Sequence, residues 1–333
     1  MFKVNPYRPG AGLMPVYLAG RDEDIKNIEN LFDGLMLNIP TQSVIFSGLR
    51  GVGKTVLINR LQTIAEEKGI FCRHIEVEER NDFISQIASC SQAFLRKIST
   101  VEKFKHLIQK PLDAIKALVV SFDPGENTFS LSVQERELYT TVNLTQSLTD
   151  VFCPIGEAAG KAETPICFFI DEIQYMKQNQ LGSLIAALHR TNQLGYPVMV
   201  VGAGLPKIYK MLSDEKSYSE RLFLYKQIGS LNFEQSKKAI EEPIQQLFGF
   251  SVGNINRYAL FIYNFKFLRD FSEPESRNAF HNPFFIQQLC QIVYRESNSD
   301  TITVSDVNSN IENFLDTLDK GFFKSRYERC AES

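Results

Sequence analysis

Short apolar runs alternate with amphipathic stretches along the first two thirds of the chain. Three apolar runs, each ending near a glycine or an acidic residue, predict buried strands at residues 43–48, 165–172 and 197–203, and residues 71–79 are predicted to form a further strand. Between them, apolar residues recur at helical spacing, as in residues 55–69 and 181–195. Strands that alternate with helices predict an α/β fold, a three-layer αβα arrangement in which helices cover both faces of a mostly parallel sheet.

The segments around these strands are less regular. Residues 1–20 contain six Pro and Gly residues and are predicted to form an extended arm, which a helix beginning near Asp22 follows. Residues 81–161 form a predicted insertion that begins and ends with helices. Within it, residues 117–122 and 128–133 flank a turn sequence and are predicted to form two strands of a hairpin. Such a hairpin either contacts a partner or belongs to the fold itself, and the sequence leaves both interpretations open.

From residue 229 onward the pattern becomes helical and is punctuated by prolines. We therefore expect a nucleotide-binding domain at residues 1–228 and a smaller, all-helical lid domain at residues 229–333. Four large apolar residues in the lid follow helical spacing: Tyr258, Phe261, Phe265 and Leu268. Their spacing favours core packing over an aromatic binding surface, because amphipathic helices generally bury such stripes.

Composition and charge argue against several classes of protein. The 333 residues include 36 basic and 39 acidic side chains, a net charge of −3, which gives no support to a large nucleic-acid surface but leaves a local patch open. No apolar run reaches the roughly 20 residues needed to cross a bilayer, so we expect no membrane association. The six cysteines are scattered, and residues 1–30 lack a signal peptide pattern, so we expect reduced thiols and a cytoplasmic protein.

The strongest chemical signal is GLRGVGKT at residues 48–55, which matches the phosphate-binding pattern G-x-x-x-x-G-K-[ST]. Its three glycines allow a tight loop whose backbone N–H groups converge on phosphate oxygens: Gly48, Gly51 and Gly53. Lys54 would neutralise the β- and γ-phosphates, and the Thr55 hydroxyl would bind Mg²⁺. The loop follows an apolar strand and opens a helix, whose N-terminus also attracts anions.

A second signal is ICFFIDE at residues 166–172, an apolar strand that ends in two carboxylates. This is the form of a Walker B element, in which Asp171 would hold Mg²⁺ and Glu172 would activate water as a general base. Taken alone, the pattern is equally typical of a solvated loop. The chain carries neither a guanine-reading N-K-x-D element nor an LSGG-like signature, which leaves an adenine nucleotide as the expected ligand.

With both elements placed, the chain resembles the AAA+ ATPases, in particular the branch of origin-recognition-like and STAND signalling ATPases. LAGRDEDI at 18–25 is similar to the segment that covers adenine and ribose in that branch, and GAGLP at 202–206 and SYSERLF at 217–223 also fit. The resemblance implies nucleotide contacts by Gly48, Leu49, Arg50, Gly51, Val52, Gly53, Lys54, Thr55 and Val56, and by Leu18 and Arg21. It implies ATP and Mg²⁺ as cofactors.

Arg221 lies where many members of this group place an arginine finger, which reaches the γ-phosphate bound to a neighbouring subunit. That role suits a planar, permanently charged guanidinium and would require a homo-oligomer. The alternative is a local ion pair with Glu220 or Glu215.

Three departures from the family pattern stand out. The strand ending in VVGAGLP has no polar sensor side chain, because Gly202, Ala203 and Gly204 offer none. HNPFFIQ at 281–287 has Phe284 and Phe285 where relatives often carry an arginine, while His281 is expected to cap or pack. Relatives usually have a winged-helix domain after the lid; since this sequence ends just after the predicted lid, we expect either that it is a shortened form of a longer protein or that the protein lacks this domain. The first two departures favour slow hydrolysis.

The sequence therefore predicts an oligomeric ATPase that binds and hydrolyses ATP with Mg²⁺ and acts on an unidentified protein client. Two alternatives remain open. One is a STAND-like signalling or defence scaffold in which ATP binding gates assembly with little turnover. The other is a DNA-associated remodelling ATPase, against which the charge balance argues mildly.

Overall fold

A computed structural model of the chain describes residues 4–39, 41–78, 83–122, 143–215, 219–248, 281–297 and 302–324. It contains five strands: β1 (Ser43–Ser47), β2 (Phe71–Glu76), β3 (Ile166–Asp171), β4 (Val198–Gly204) and β5 (Phe223–Gln227). Its helices up to the end of β4 are α1 (Asp22–Met36), α2 (Lys54–Glu67), α3 (Phe83–Ser99), α4 (Gln109–Phe122), α5 (Leu144–Lys161) and α6 (Gln178–Gln193). The later helices are α7 (Ile208–Glu215), α8 (Ser219–Leu222), α9 (Phe233–Phe248), α10 (Pro283–Glu296) and α11 (Val304–Leu318).

The chain divides into two compact units. One consists of residues 24–49 and 57–228 and contains the sheet, and we call it the sheet unit. The other combines residues 1–23 and 50–56 with everything from residue 229 onward, and we call it the lid unit. Most of the phosphate-binding sequence therefore belongs to the lid unit, whereas the strand that precedes it belongs to the sheet unit.

The five strands of the sheet unit pair in the order β2-β3-β4-β1-β5, all parallel. Helices cover both faces of this sheet. Phe32 of α1 packs edge-on against Phe169 of β3, whereas Phe152 of α5 contacts the adjacent Phe168. Because neighbouring residues of a strand point to opposite faces, α1 and α5 lie on opposite sides. The predicted α/β fold with a parallel sheet is confirmed.

One predicted strand is wrong. Residues 117–122 were expected to be a strand, but they form the last turns of α4. Its buried side chains Ile115, Leu118 and Val119 recur at positions i, i+3 and i+4, which is the period of a helix. The partner strand expected at 128–133 lies outside the described residues, as does the aromatic stripe at 258–268.

The fifth strand, β5, was not predicted. Its five residues pair with β1 from Ser43↔Phe223 to Ser47↔Gln227, and most of its side chains are only partly buried. Its apolar residues, Phe223–Tyr225, make a run of only three before Lys226 and Gln227, which is too short to distinguish a strand from the end of a helix.

The lid unit has its own apolar core, formed where α10 and α11 pack together. Phe284 and Phe285, which stand where relatives often carry an arginine, belong to it. The Phe284 ring stacks on Phe322 with 5.3 Å between centroids, and Phe285 meets the same ring edge-on at 5.1 Å. Among the described helices of the chain, none is both long and apolar enough to cross a membrane.

Candidate functional site

The phosphate-binding sequence connects β1 to α2. β1 ends at Ser47, and Lys54 is the first residue of α2, as the sequence pattern requires. Gly51 and Gly53 have φ angles of +81° and +90°, in the left-handed region that side chains disfavour. Nothing lies within 4 Å of a Cβ built on Gly53, so glycine is needed there because of the positive φ angle and not because of a lack of space.

Three consecutive carbonyl groups of this loop accept hydrogen bonds from other parts of the lid unit. The Asn282 side chain donates from Nδ2 to the Arg50 oxygen at 3.2 Å. The Phe284 backbone N–H donates to the Gly51 oxygen at 3.3 Å. The Arg21 guanidinium donates from Nη2 to the Val52 oxygen at 3.0 Å. We call this set of bonds the carbonyl brace.

The carbonyl brace has a consequence for the loop's N–H groups. In a trans peptide the C=O and the N–H point in opposite directions. The N–H groups of residues 51–53 therefore point away from the donors that bind the carbonyls of residues 50–52. Lys54 begins α2 directly after this turn and is only 8% exposed.

Arg21 donates hydrogen bonds to three backbone oxygens. Besides Val52, its guanidinium donates to the Gly229 oxygen at 2.6 Å and to the Gly20 oxygen at 3.1 Å, and the side chain is 6% exposed. The sequence comparison placed Arg21 over the adenine and ribose, together with the half-buried Leu18. In the structure its visible role is to tie the arm and the start of the lid segment to the loop.

The turn before α10 supplies the rest of the brace. Asn282 caps α10, since its Oδ1 accepts from the Phe284 N–H at 3.0 Å, and Pro283 occupies the first helical position. His281 packs beside it, with Nδ1 2.8 Å from the Ser236 hydroxyl. Burial lowers the pKa of His281 from its usual 6.5. A Cβ on Gly51 would lie 2.9 Å from Asn282 Oδ1, so this close approach also needs glycine.

In the sheet unit, the two carboxylates lie at the carboxyl end of β3. Asp171 is the last residue of the strand and is buried. Glu172 follows with φ +51° and ψ +34°, a left-handed conformation that is uncommon for a residue with a side chain, and its N–H donates to Asp171 Oδ1 at 2.8 Å. The glutamate carboxylate accepts a hydrogen bond from Gln174 Nε2.

Arg221 lies on the short helix α8 and is exposed. Its carbonyl oxygen accepts a hydrogen bond from the Gln42 side chain at 2.8 Å, which anchors the backbone of α8 and leaves the guanidinium at the surface. Within the described residues, no ion pair joins this guanidinium to Glu215 or Glu220. The local ion pair considered from the sequence is therefore not formed there.

Sequence reasoning did not find Asn282 as a contact of the loop or Gln174 as a contact of Glu172. Asn-Pro is a recognisable helix start, so the capping role of Asn282 could be read from the sequence. Its bond to Arg50, 232 positions away, could not. Gln174 belongs to no motif that we recognised; its partner Glu172 is two positions away, and its partner Leu205 is brought to it by the packing of β3 and β4.

A parallel sheet of this order, a G-x-x-x-x-G-K-T loop between β1 and α2 and acidic residues at the end of β3 define a P-loop nucleoside triphosphatase of the AAA+ fold. Residues 17–201, more than half of the chain, match the family described as AAA ATPase domain. The chain therefore belongs to the AAA ATPase domain family, whose general function is to bind and hydrolyse ATP.

Solved structures with this fold are distant in sequence. Cdc6p from Pyrobaculum aerophilum has a TM-score of 0.54 at 11% identity, over 92% of this chain and 70% of that chain. The ADP form of the Aeropyrum pernix ORC2 protein gives 0.50 at 10% identity, over 91% and 71%. The Aeropyrum pernix Orc1 protein in complex with DNA gives 0.45 at 15% identity, over 90% and 66%.

These likenesses confirm the resemblance to origin-recognition AAA+ proteins at the level of fold. The chain spans about two thirds of the length of the Orc1 structure. No curated protein sequence matches the chain.

Proposed function

We propose that this chain binds ATP through residues 48–56 and hydrolyses it with the help of Mg²⁺. The observation that carries the proposal is the carbonyl brace, because it turns the N–H groups of residues 51–53 away from the donors in Arg21, Asn282 and Phe284. We propose that these N–H groups converge on a phosphate beside the N-terminus of α2. Such a site attracts a polyanion, because the N–H groups, the helix dipole and the Lys54 ammonium all contribute positive charge.

The donor chemistry of the remaining residues suits Mg²⁺. Thr55 offers a hydroxyl and Asp171 a carboxylate, and hard oxygen ligands of this kind are the ones that Mg²⁺ takes beside substrate phosphates. Bound there, the ion would neutralise charge that develops on the phosphates during transfer. Glu172 would orient and deprotonate the attacking water.

Arg221 is proposed to act on the nucleotide of a neighbouring copy. Its guanidinium is exposed and, in the part of the chain that the structure describes, forms no ion pair with Glu215 or Glu220, which supports this role. A permanently charged, planar group is suited to the spread-out charge of a transferring phosphoryl group. The proposal implies a homo-oligomer, and it leaves the protein client unidentified.

The test measures phosphate release from ATP and Mg²⁺ as a function of protein concentration, with particle size measured on the same samples. We expect specific activity to rise with concentration in the wild type, and Lys54→Ala to lose both nucleotide binding and turnover. Lys103→Ala, which removes an exposed lysine of the sheet unit, serves as the matched control and is expected to behave as wild type. No nucleotide binding in the wild type would overturn the proposal.

Arg221→Ala separates turnover in an assembly from turnover by single copies. We expect it to bind ATP as the wild type does and to lose about 10³-fold or more of the assembled activity, the usual effect of an arginine finger. Activity that is independent of concentration and unchanged by this substitution would overturn the role of Arg221.

A second candidate is a nucleotide-gated switch with little turnover. It is favoured by the end of β4, where Gly202, Ala203 and Gly204 carry no polar side chain, and by the phenylalanines packed into the lid core. If the protein is such a switch, ATP binds tightly and assembly follows binding, and Glu172→Gln changes neither the affinity for ATP nor the extent of assembly. Under the first proposal, Glu172→Gln traps an ATP-bound assembly that the wild type forms only transiently.

A further inference from the structure

Gln174 lies directly beside the carboxylate that is proposed to activate water. It belongs to a short 3₁₀ turn, Ile173–Tyr175, and is 3% exposed. Its Oε1 accepts a hydrogen bond from the Leu205 backbone N–H at 2.9 Å, and its Nε2 donates to Glu172 Oε2. The Leu205 N–H needs an acceptor, so the amide oxygen faces β4 and the amide nitrogen must face Glu172.

The end of β4 lacks a side chain at residue 204 because Gln174 and Ile173 occupy the space that this side chain would need. A Cβ built on Gly204 would lie 2.7 Å from Gln174 Oε1 and 2.9 Å from Ile173 Cγ2. The backbone of Gly204 is not left-handed, so any residue could adopt its conformation, and only the space taken by Gln174 and Ile173 excludes a side chain. The chain thus carries a polar group at this point, but supplies it from the turn after β3.

The same contacts extend to the start of the phosphate-binding loop. The Gly48 N–H donates to the Gly204 oxygen at 3.2 Å. The N–H of Leu205, the residue that follows Gly204, donates to Gln174 Oε1. Hydrogen bonds therefore run from Gly48 through the end of β4 and the Gln174 amide to Glu172. All of these residues belong to the sheet unit.

We infer that Gln174 is a positioning residue for ATP hydrolysis, which holds the Glu172 carboxylate in place and takes over the polar role that β4 lacks. The inference rests on the proposed function of Glu172. Glu172 stands on a left-handed backbone with a rotatable side chain, and the fixed Gln174 amide limits it to one orientation. A misplacement of about 1 Å in a catalytic group costs about 10²-fold in rate, so loss of this donor affects turnover and not nucleotide binding.

The test compares Gln174→Ala, Gln174→Glu and the double variant Gln174→Ala with Gly204→Asn. Gln174→Glu keeps the volume and the acceptor for Leu205, but it presents an oxygen to Glu172 where the wild type presents an N–H donor. For both single variants we expect kcat to fall about 10- to 100-fold. The KM for ATP and the Kd for a fluorescent ATP analogue are expected to stay within about twofold, since the binding loop is untouched.

The double variant is the control for a merely structural role. Removal of the Gln174 side chain removes the 2.7 Å contact that a Cβ at 204 meets, and a small shift of the Ile173 side chain is needed to relieve the other, at 2.9 Å. An asparagine at 204 then returns an amide to the same point. We expect it to recover at least part of the lost kcat, whereas Gly204→Asn alone collides with Gln174 and lowers the melting temperature. If the variants change the melting temperature but the double variant has the same kcat as Gln174→Ala, the inference is overturned.

The outcomes separate the two proposals. Lys54-dependent turnover in the wild type with an unchanged kcat in Gln174→Ala and Gln174→Glu overturns the role of Gln174 and leaves the proposed function standing. Absence of turnover in the wild type overturns both. A fall in kcat that is accompanied by an equal loss of nucleotide affinity also overturns the positioning role, because the residue would then act on binding.

Discussion

Arg21 Nη2 donates a hydrogen bond to the carbonyl oxygen of Val52, in the middle of the phosphate-binding loop and 31 positions away in the chain. The same guanidinium also bonds to Gly229, where the lid segment begins. One fully charged side chain therefore joins the arm, the loop and the lid segment, and charge-assisted bonds of this kind are stronger than neutral ones. The shape of the loop depends on residues that do not belong to its motif.

Arg21→Ala is expected to weaken ATP binding about tenfold or more, because the Val52 carbonyl loses its donor and the N–H groups of the loop lose their fixed direction. Arg21→Lys is expected to recover little, since an ammonium cannot reproduce the planar set of donors that reaches several oxygens at once. Titration of a fluorescent ATP analogue measures the effect. Arg8→Ala, an exposed arginine of the same arm, is the control. Equal affinities in Arg21→Ala and the control would contradict the brace.

Asn282 allows its two roles to be separated by one substitution. Asn282→Asp keeps the oxygen that caps α10 but turns the donor to the Arg50 carbonyl into an acceptor, so we expect the lid helix to stay intact and ATP affinity to fall. Asn282→Ala loses both bonds. We expect it also to lower the free energy of unfolding by ~1 kcal/mol, as is typical of a lost cap, and therefore to lower the melting temperature. Melting curves and ATP titrations together check this. Unchanged affinity in Asn282→Asp would refute a role for the lid turn in nucleotide binding.

Glu241 is a source of instability at neutral pH. It is 9% exposed, and its Oε1 has no hydrogen-bond partner among the described residues. Burial raises the pKa of Glu241 above its usual 4.5, in spite of the nearby Lys237. The folded state therefore retains the proton to higher pH than the unfolded state, and stability falls as pH rises above about 4.5.

The neutral substitution Glu241→Gln is expected to stabilise the protein by about 1 kcal/mol near pH 7.5, with the gain shrinking as the pH approaches 4.5. Melting temperatures across this range measure it. Glu312→Gln, an exposed glutamate of α11, is the control and is expected to change little at any pH. A gain of equal size at both ends of the range would show that charge is not the cause.

His281 is expected to make stability fall on the acid side of neutrality. Burial lowers its pKa, so the unfolded chain takes up a proton near pH 6.5 that the folded state still refuses. Stability is therefore complete above pH 6.5 and is lost as the pH falls below that value. His281→Gln is expected to lower stability at pH 8 but to reduce the loss of stability between pH 8 and pH 5.5. The control His106→Gln, at an exposed histidine, is expected to show the same loss as the wild type. A decline that persists unchanged in His281→Gln would contradict this assignment.

Strong periodic signals in the sequence were sufficient for most of the fold. Four of the five strands in the described part of the chain were predicted. Three of them, β1, β3 and β4, are short runs buried along their whole length, whereas β2 lies at the edge of the sheet and exposes three of its six residues. The edge strand β5 was missed since its apolar run is only three residues long, and residues 117–122 were misjudged because a short apolar run fits a strand or a helix equally well. The residues proposed to bind phosphate and Mg²⁺ were recognised from a pattern of consecutive positions.

The sequence by itself determined the fold class, the family and the loop motif, because burial and glycine conformations leave a trace in neighbouring residues. Only the tertiary structure revealed that Arg21 and Asn282 direct the loop carbonyls and that Gln174 fills the space beside Gly204. Those relationships join residues that are distant in the chain or that carry no motif. Hydrogen bonds between such groups depend on distance and direction in space, which the order of the residues does not encode locally.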